Sequence, residues 1–313
     1  MRDRMSRGDR RRGGRRDRLS RLLLLGSAAL LVAGGWLLVD YIRQGAQTRD
    51  LQSDLQQWAQ QKQTAPAQAT DAPTLAAQNI AATAVPHTPV PVTTAPLPTQ
   101  GAPILANLLP VYAKNRDLVG WLKASGIQDI NFPIVQRDNS HYVNHDFYGR
   151  RNVAGTVFLD ADNHILPQDQ NLILHGHNMQ NGTMFGKLAR LLSPEQMARS
   201  PLFDFSTLYH TQTYVPYAIA LTSINPGNAN AFSFLVPAFA NQEAWQAYTG
   251  WLTAHSALAL PVDVQPQDQL LTLVTCHGHD RDERLVLALR ALRPDESADD
   301  VQGAFARWRE GQM

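Results

Sequence analysis

The chain has 313 residues, of which 44% are hydrophobic and 18% are charged, and its formal net charge is +1. This composition is typical of a globular protein, and it excludes a largely disordered chain and a strongly basic nucleic-acid-binding protein. The single cysteine cannot form an intramolecular disulfide, so no disulfide pattern indicates the redox compartment.

Arginine crowds the first 21 residues, and an uncharged run from Leu22 to Val39 follows directly. At about 18 residues this run is just long enough to cross a bilayer as a helix, and Trp36 and Tyr41 lie at its far end, where aromatic residues anchor. We predict a basic cytoplasmic tail over residues 1–21 and an uncleaved transmembrane signal anchor over residues 22–39, because arginines stay on the cytoplasmic side.

Two alternatives compete with the anchor. A basic stretch before an apolar run is also typical of a cleaved signal peptide, but the run is long for one and no convincing A-x-A site follows Val39. A nucleic-acid-binding arm is the other alternative, and the adjoining apolar run disfavours it.

Residues 40–103 are predicted to be a juxtamembrane segment and a stalk. Thr48 to Gln61 is polar, with three apolar residues at helical spacing, Leu51, Leu55 and Trp58. From Gln63 to Pro103 the chain is rich in Ala, Thr, Pro and Gln, a composition that favours extended, solvated chain over a packed core. The stalk would hold a folded domain away from the membrane.

The folded domain is predicted over residues 104–294. Short apolar segments recur in it, separated by Pro, Gly, Asn and Asp, and such a pattern favours a β-sandwich or a barrel. The predicted strands are Leu118 to Leu122, Ile134 to Gln136, Gly155 to Leu159, Leu172 to Leu174, Tyr214 to Thr222, Leu270 to Thr275 and Arg284 to Leu289.

Four helices are predicted around these strands, at Ile104 to Lys114, Met184 to Leu192, Gln242 to His255 and Asp299 to Trp308. The third has the strongest pattern, because it carries large apolar residues on one face, namely Trp245, Tyr248, Trp251 and Leu252. The fourth falls in a predicted C-terminal tail over residues 295–313.

The segment from Leu270 to Leu292 is the first candidate site. Its two apolar runs, joined by a polar loop, predict two strands, with Cys276 at the end of the first and Arg284 at the start of the second. A thiol at a strand end, facing a guanidinium across a short loop, is a plausible chemical site. The alternative is that Cys276 is a buried packing residue that acts as a small hydrophobe.

A thiol nucleophile needs a base or an ion-pair partner. His175 and His177 follow the apolar run Leu172 to Leu174, so they too are expected at a strand end, where functional residues are often held. Spacing alone does not choose between them and the other histidines of the domain, which are His141, His145, His164, His210 and His255.

A metal site is a further alternative. The two H-x-H pairs and the cysteine (His175, His177, Cys276, His277 and His279) offer the imidazole and thiolate ligands that zinc takes. Their spacing matches the usual zinc motifs poorly.

Five separated segments then resemble class B sortases, in the order of that family. They are DLVGWLKASG, INFPIVQRDNSHYVNHDFYG, AGTVFLD, HGHNMQNGTMFGKL and LTLVTC, the last followed by Arg284. The resemblance runs from about Leu109 to Leu292. It implies a mainly β fold, a closed barrel of about eight strands with N-terminal helices and a helix before the last two strands.

The resemblance also implies the site residues. His177 matches the catalytic histidine, Cys276 the nucleophile and Arg284 the catalytic arginine, while Thr275 and Asn178 are predicted to bind substrate; no cofactor or metal is implied. Departures from the family pattern are Val274 where serine is frequent, His175 where tyrosine is frequent, and a loop rich in histidine that carries His277 and His279.

The predicted function is therefore that of a membrane-anchored cysteine transpeptidase. It would cleave a sorting-signal peptide bond through a thioacyl intermediate and pass the acyl group to an amine, either a peptidoglycan precursor or a pilin lysine. The expected partners are surface proteins with a C-terminal sorting signal, and no nucleic acid. The protein is expected to lie in the cell membrane, which it crosses once, with a cytoplasmic N-terminus and an extracellular catalytic domain. The alternatives are a noncatalytic, zinc-loaded binding module and a thiol hydrolase with the same three residues.

Overall fold

A computed structural model describes residues 7–60, 101–127, 129–278 and 281–312, except for the side chains of residues 7–24, 28, 41 and 58–60. The chain divides into two compact units, Met1–Gln47 and Thr48–Met313. Most of the predicted stalk lies outside the described residues, as do the side chain of Trp58 and all of His279.

The first helix, α1, spans Arg7–Gln60. In the first unit it exposes large apolar side chains, among them Leu30, Leu31 and Val32, which are 75%, 77% and 73% exposed. Its segment Leu25–Gln57 is long and apolar enough to cross a membrane, with a window of 18 residues whose mean hydropathy is 1.6. Among the described residues it is the one helix with this property.

The second unit contains a closed barrel of eight strands. They are β1 Leu118–Ala124, β2 Asn131–Val135, β3 Phe158–Leu159, β4 Asn171–His175, β5 Phe203–Thr207, β6 Thr211–Ser223, β7 Leu270–Cys276 and β8 Glu283–Ala291. Around the barrel they follow the order β1-β2-β3-β4-β7-β8-β6-β5, and β5 pairs with β1 to close it. The pairs β2–β3 and β4–β7 are parallel and the others are antiparallel. The predicted closed barrel is confirmed.

Several local features differ from the predictions. Strand β5 was not predicted, although Phe203, Phe205 and Thr207 alternate as buried residues along it. The helix predicted from Met184 to Leu192 is a short 3-10 helix, Leu188–Leu192. Met184 has a φ of 53°, and a residue in this left-handed region cannot continue a right-handed helix.

Further helices lie outside the barrel wall. They are α2 Leu109–Tyr112, α3 Pro194–Arg199, α4 Gln242–Ala254 and α5 Ala298–Glu310. Helix α2 is much shorter than the predicted helix from Ile104 to Lys114. Helix α5 begins with a capping box between Ser297 and Asp300 and buries Val301 and Phe305, so the predicted C-terminal tail contains a helix that packs on the core.

Helix α4 covers the outer face of the strands that lead to the candidate site. The Asn241 side chain caps it by accepting a hydrogen bond from the Ala244 N–H. Three members of its predicted apolar face are buried, Trp245, Tyr248 and Leu252, and the helix packs over Ile173, Val274 and Val286 of β4, β7 and β8. Trp251 is only half-buried and stacks on Phe232 at a centroid distance of 4.1 Å.

This difference in burial predicts unequal losses of stability in the full-length protein. Leu252 is 0% exposed, so Leu252→Ala is expected to lower the free energy of unfolding by about 2–5 kcal/mol. Trp251→Ala is expected to lower it by only about 1–2 kcal/mol, because mainly a ring stack is lost. Urea denaturation in detergent measures both. An equal loss for the two variants would contradict the half-buried position of Trp251.

Candidate active site

The strand registers align the candidate residues on one outer face of the barrel. Cys276 on β7 lies directly opposite Arg284 on β8. One step back along the strands, His175 on β4 lies level with Val274 on β7 and with Phe158 on β3. Residues in register on neighbouring strands point to the same face of a sheet. The strand ends therefore bring a thiol, a guanidinium and an imidazole together, although they are far apart in sequence.

A groove with a volume of about 260 Å³ lies over these positions. It is lined by Asn139, Tyr142, Val143, Thr156, Phe158, His175, Gly176, His177, Val274, Thr275, Cys276 and Arg284. The predicted residues His177, Cys276, Arg284 and Thr275 all line it. Asn178 is exposed and lies outside this lining.

Cys276 is exposed, whereas the six residues before it on β7 are all buried. The alternative of a buried packing cysteine is therefore wrong. Because β7 ends at this residue, the thiol is presented at the lip of the barrel on a rigid strand. Such a position is accessible to a peptide carbonyl and suits a nucleophile.

His177 follows the end of β4, and its ring is held by one hydrogen bond. Nε2 lies 2.7 Å from the carbonyl oxygen of Val143. A carbonyl can only accept, so Nε2 carries the proton and donates it, which leaves Nδ1 of the neutral ring as the basic atom. Gly176 permits this path of the chain, because a Cβ there would lie 2.7 Å from the Phe185 ring.

Arg284 is anchored at the loop that joins β7 to β8. Its Nη1 donates to the carbonyl oxygens of Arg281 at 2.6 Å and of Glu283 at 3.0 Å. These bonds fix a permanent positive charge on the strand opposite Cys276. A fixed cation beside a nucleophile can stabilise negative charge that develops on a carbonyl oxygen.

His175 has a different partner from His177. Its Nε2 lies 2.8 Å from a carboxylate oxygen of Asp160, whose side chain is only 3% exposed. Burial by itself would raise the pKa of Asp160, but hydrogen bonds from His175, from the Asp162 N–H and from Asn139 outweigh it and lower the pKa below its usual value. The carboxylate is therefore ionised at neutral pH and holds His175 in place.

Thr275 and His277 stand on either side of Cys276 in the sequence. Thr275 is buried. Side chains alternate between the two faces of a strand, so Thr275 points away from the face of Cys276 and toward the barrel interior, where Leu273 and Leu285 pack. Its Oγ1 has no hydrogen-bond partner among the described residues, so it is a buried donor at the edge of the groove. His277 does not line the groove.

The part of the chain that the structure describes contains no group of three or more His, Cys, Asp or Glu side chains that could hold a metal ion. His279, a member of the alternative zinc set, lies outside that part.

Sequence reasoning assigned no role to Asp160 or Asn139, although both lie in the segments that carried the resemblance. Asp160 ends the apolar run AGTVFLD, and a carboxylate directly after a short strand was the available signal. Asn139 supports the same carboxylate with a 3.2 Å hydrogen bond from its Nδ2.

Comparisons with known proteins identify the family of this chain. The family model of the sortase domain matches residues 122–291. Sortase B of Listeria monocytogenes is 28% identical over 166 residues, which are 52% of this chain and 63% of that protein. The aligned part thus spans less than two thirds of the Listeria protein.

Solved structures show the same fold. A Bacillus anthracis protein described as similar to sortase B superposes with a TM-score of 0.55 and 25% identity, over 64% of this chain and 90% of that one. A sortase B–substrate complex from Staphylococcus aureus also gives 0.55, with 24% identity over 62% of this chain and 88% of that one. Since the family model covers more than half of the chain and contains the groove, this chain belongs to the sortase family and is a class B sortase.

Proposed function

We propose that the chain is a cysteine transpeptidase that cleaves a sorting-signal peptide and joins its acyl part to an amine. One observation carries the proposal: the exposed thiol of Cys276 shares a single groove with His177 and Arg284. The resemblance of the motifs and the family membership support the assignment of these three side chains.

The first half-reaction forms a thioester. The Cys276 sulfur, after losing its proton to His177, attacks the carbonyl carbon of the scissile bond, and the oxyanion that forms faces the Arg284 guanidinium. The C–N bond then breaks as the His177 imidazolium gives its proton to the leaving amine. The acyl part of the peptide remains on sulfur.

The second half-reaction transfers the acyl group. An acceptor amine attacks the thioester carbon and loses a proton to neutral His177. The C–S bond breaks, an amide forms and the thiolate of Cys276 is regenerated. If water attacks instead, the same residues act as a thiol hydrolase. The acceptor, an amine or water, therefore distinguishes a transpeptidase from a hydrolase.

Partners and location follow from the same proposal. The peptide donor would be a surface protein with a C-terminal sorting signal. A Staphylococcus aureus sortase B of the same fold has been solved as a complex with its substrate, which supports a substrate of this kind. The acceptor would be an amine of a peptidoglycan precursor or a pilin lysine. The apolar segment of α1 would anchor the protein in the cell membrane, with the arginine-rich tail inside and the catalytic unit outside.

The orientation can be tested on protoplasts. We expect protease added outside to release a soluble fragment that contains Cys276, because the stalk would be exposed and rich in solvated, extended chain. Immunoblotting of the supernatant measures the release, and a cytoplasmic marker protein serves as the control for lysis. Full protection of the catalytic unit would reverse the proposed topology.

The transfer reaction can be tested with peptide libraries and the full-length enzyme in detergent. We expect cleavage to leave an acyl-enzyme whose mass gain matches the acyl part, and an added amine, such as triglycine or a lysine peptide, to yield the amide product. Mass spectrometry measures both products. Cleavage that is indifferent to every amine would indicate a hydrolase. Absence of any adduct, together with bound zinc, would favour the noncatalytic binding module.

A further inference from the structure

The last turns of helix α1 belong to the second unit and pack against the part of it that carries the groove. In this contact segment, residues 48–57, Thr48 and Leu55 are buried, at 3% and 1% exposure. Leu55 belongs to the same hydrophobic cluster as Tyr142 and Phe158, which line the groove of Cys276. The space left beside the contact segment has a volume of only about 20 Å³, so the surfaces fit closely.

Two loops determine the position of the His177 ring, and the contact segment touches both. The first loop, residues 141–156, contains Val143, whose carbonyl oxygen accepts the Nε2–H bond of His177. The second loop, residues 177–185, starts at His177 and folds back, because the Phe185 N–H donates to the His177 carbonyl oxygen at 3.0 Å. A shift of either loop would move the imidazole relative to Cys276.

Hydrogen bonds inside the first loop fix the direction of the Val143 carbonyl. The carbonyl oxygen before it, that of Tyr142, accepts from the Thr156 N–H at 2.9 Å. The carbonyl oxygen after it, that of Asn144, accepts from the Asn152 N–H at 2.9 Å. The group that orients the catalytic imidazole therefore depends on where Asn152 lies.

The contact segment holds Asn152 from the other side. The Asn152 Nδ2–H donates to Thr48 Oγ1 at 3.1 Å, and both residues are buried, Asn152 at 6% exposure. Losing such a bond leaves a buried donor without a partner, which is costly. At the second loop, Arg49 Nη2 donates to the Asn181 carbonyl oxygen at 3.2 Å. Two consecutive residues of α1 therefore hold the two loops that place His177.

We propose that Thr48 is a positioning residue for His177 and that the contact segment of α1 is part of the catalytic machinery. This inference rests on the proposed function, because it takes His177 to be the acid–base group. Thr48 lies outside the groove lining and acts through Asn152 and Val143. It keeps the proton of the neutral ring on Nε2, so that Nδ1 remains the atom that exchanges protons with the reacting groups. This role is additional to the anchoring proposed for the apolar segment of α1.

The test compares two substitutions of Thr48 in the full-length protein in detergent. Thr48→Val has nearly the same shape but no hydroxyl to accept the Asn152 bond, and it is expected to lower kcat about tenfold, because small misplacements of a catalytic group are costly. The KM for the donor peptide is expected to stay unchanged. Thr48→Ser keeps the hydroxyl and is expected to retain most of the activity. Steady-state transfer of a library-selected peptide to triglycine measures both constants.

The tautomer of His177 gives a second readout that does not depend on activity. Nitrogen NMR of isotope-labelled histidines distinguishes a ring protonated on Nε2 from one protonated on Nδ1, and His177→Ala identifies the signal. At about pH 9, where histidine rings are neutral, we expect the Nε2–H form in the unaltered protein and a mixture in Thr48→Val. A merely structural role for Thr48 would lower the thermal midpoint and leave the tautomer unchanged.

Ser53→Ala is the matched control on the same helix. Ser53 is exposed, and its hydroxyl donates to the Asp50 carbonyl oxygen at 2.7 Å, within α1. Its loss is expected to change neither kcat nor the tautomer. Arg49→Ala is the second test variant, because Arg49 is exposed and the fold tolerates its loss. It is expected to lower kcat by about two- to threefold, as one exposed hydrogen bond warrants, and to shift the tautomer in the same direction.

An unchanged kcat and an unchanged tautomer in folded Thr48→Val would overturn the proposal. So would an equal loss in Thr48→Ser or in Ser53→Ala, since the bond to Asn152 would then not be the cause. If Thr48→Val does not fold, Arg49→Ala decides by the same two measurements. A shifted tautomer in a protein that never acylates Cys276 would confirm that Thr48 positions the imidazole and would refute the transpeptidase proposal.

Discussion

Replacing Cys276 by alanine is expected to abolish thioester formation, with a loss of at least about 10⁴-fold in single-turnover acylation. The reason is chemical, because the acyl group is carried on sulfur and a methyl side chain cannot carry it. The side chain is exposed at the end of β7, so the fold is expected to be unaffected, with a change in unfolding free energy within about 0.5 kcal/mol. Mass spectrometry of the acyl-enzyme and thermal denaturation measure the two effects.

The same thiol supplies an internal control. Cys276 is the only cysteine of the chain, so a thiol-directed reagent is expected to add one label to the unaltered enzyme and none to Cys276→Ala. Labelling is expected under native conditions because the side chain is exposed. A thiol that reacted only after denaturation, or an alanine variant that still formed a covalent peptide adduct, would contradict the assignment of the nucleophile.

Replacing His177 by alanine is expected to slow turnover by about 10²–10⁴-fold, the usual contribution of general acid–base catalysis. Without the imidazole, no group protonates the leaving amine, and no group removes the extra proton from the acceptor amine after its attack. The thiol remains in the groove and is still expected to react with an alkylating reagent. Steady-state transfer and single-turnover acylation of a library-selected peptide measure the loss.

His175→Ala is the matched control, because His175 is two residues earlier and lines the same groove. It is expected to slow turnover far less than His177→Ala does, since it leaves the acid–base group in place. Normal turnover in His177→Ala with a large loss in His175→Ala would identify the pair of His175 and Asp160 as the acid–base group. Large losses in both variants together with bound zinc would favour the metal alternative.

The sequence determined the features that depend on neighbouring residues. The run LLTLVTC and the apolar run after Arg284 specify two strands by composition, and the polar loop between them places Cys276 and Arg284 at their facing ends. Helix α4 was predictable for the same reason, because its apolar residues recur with the helical period. The five motifs, in order, were sufficient to predict the class B sortase fold.

Other features depend on contacts between distant parts of the chain, and local patterns do not encode these. Whether Cys276 is buried or exposed depends on where β7 ends relative to α4 and the barrel rim. The partners of the two histidines are set by the pairing of β3 with β4, which brings Asp160 to His175, and by the loop that brings Val143 to His177. Strand β5 was missed because its short alternating pattern becomes a strand only when it pairs with β1 and β6 and closes the barrel. The sequence thus determined which side chains stand at strand ends, and the barrel closure alone decided which of them meet, because register between strands is a property of the whole sheet.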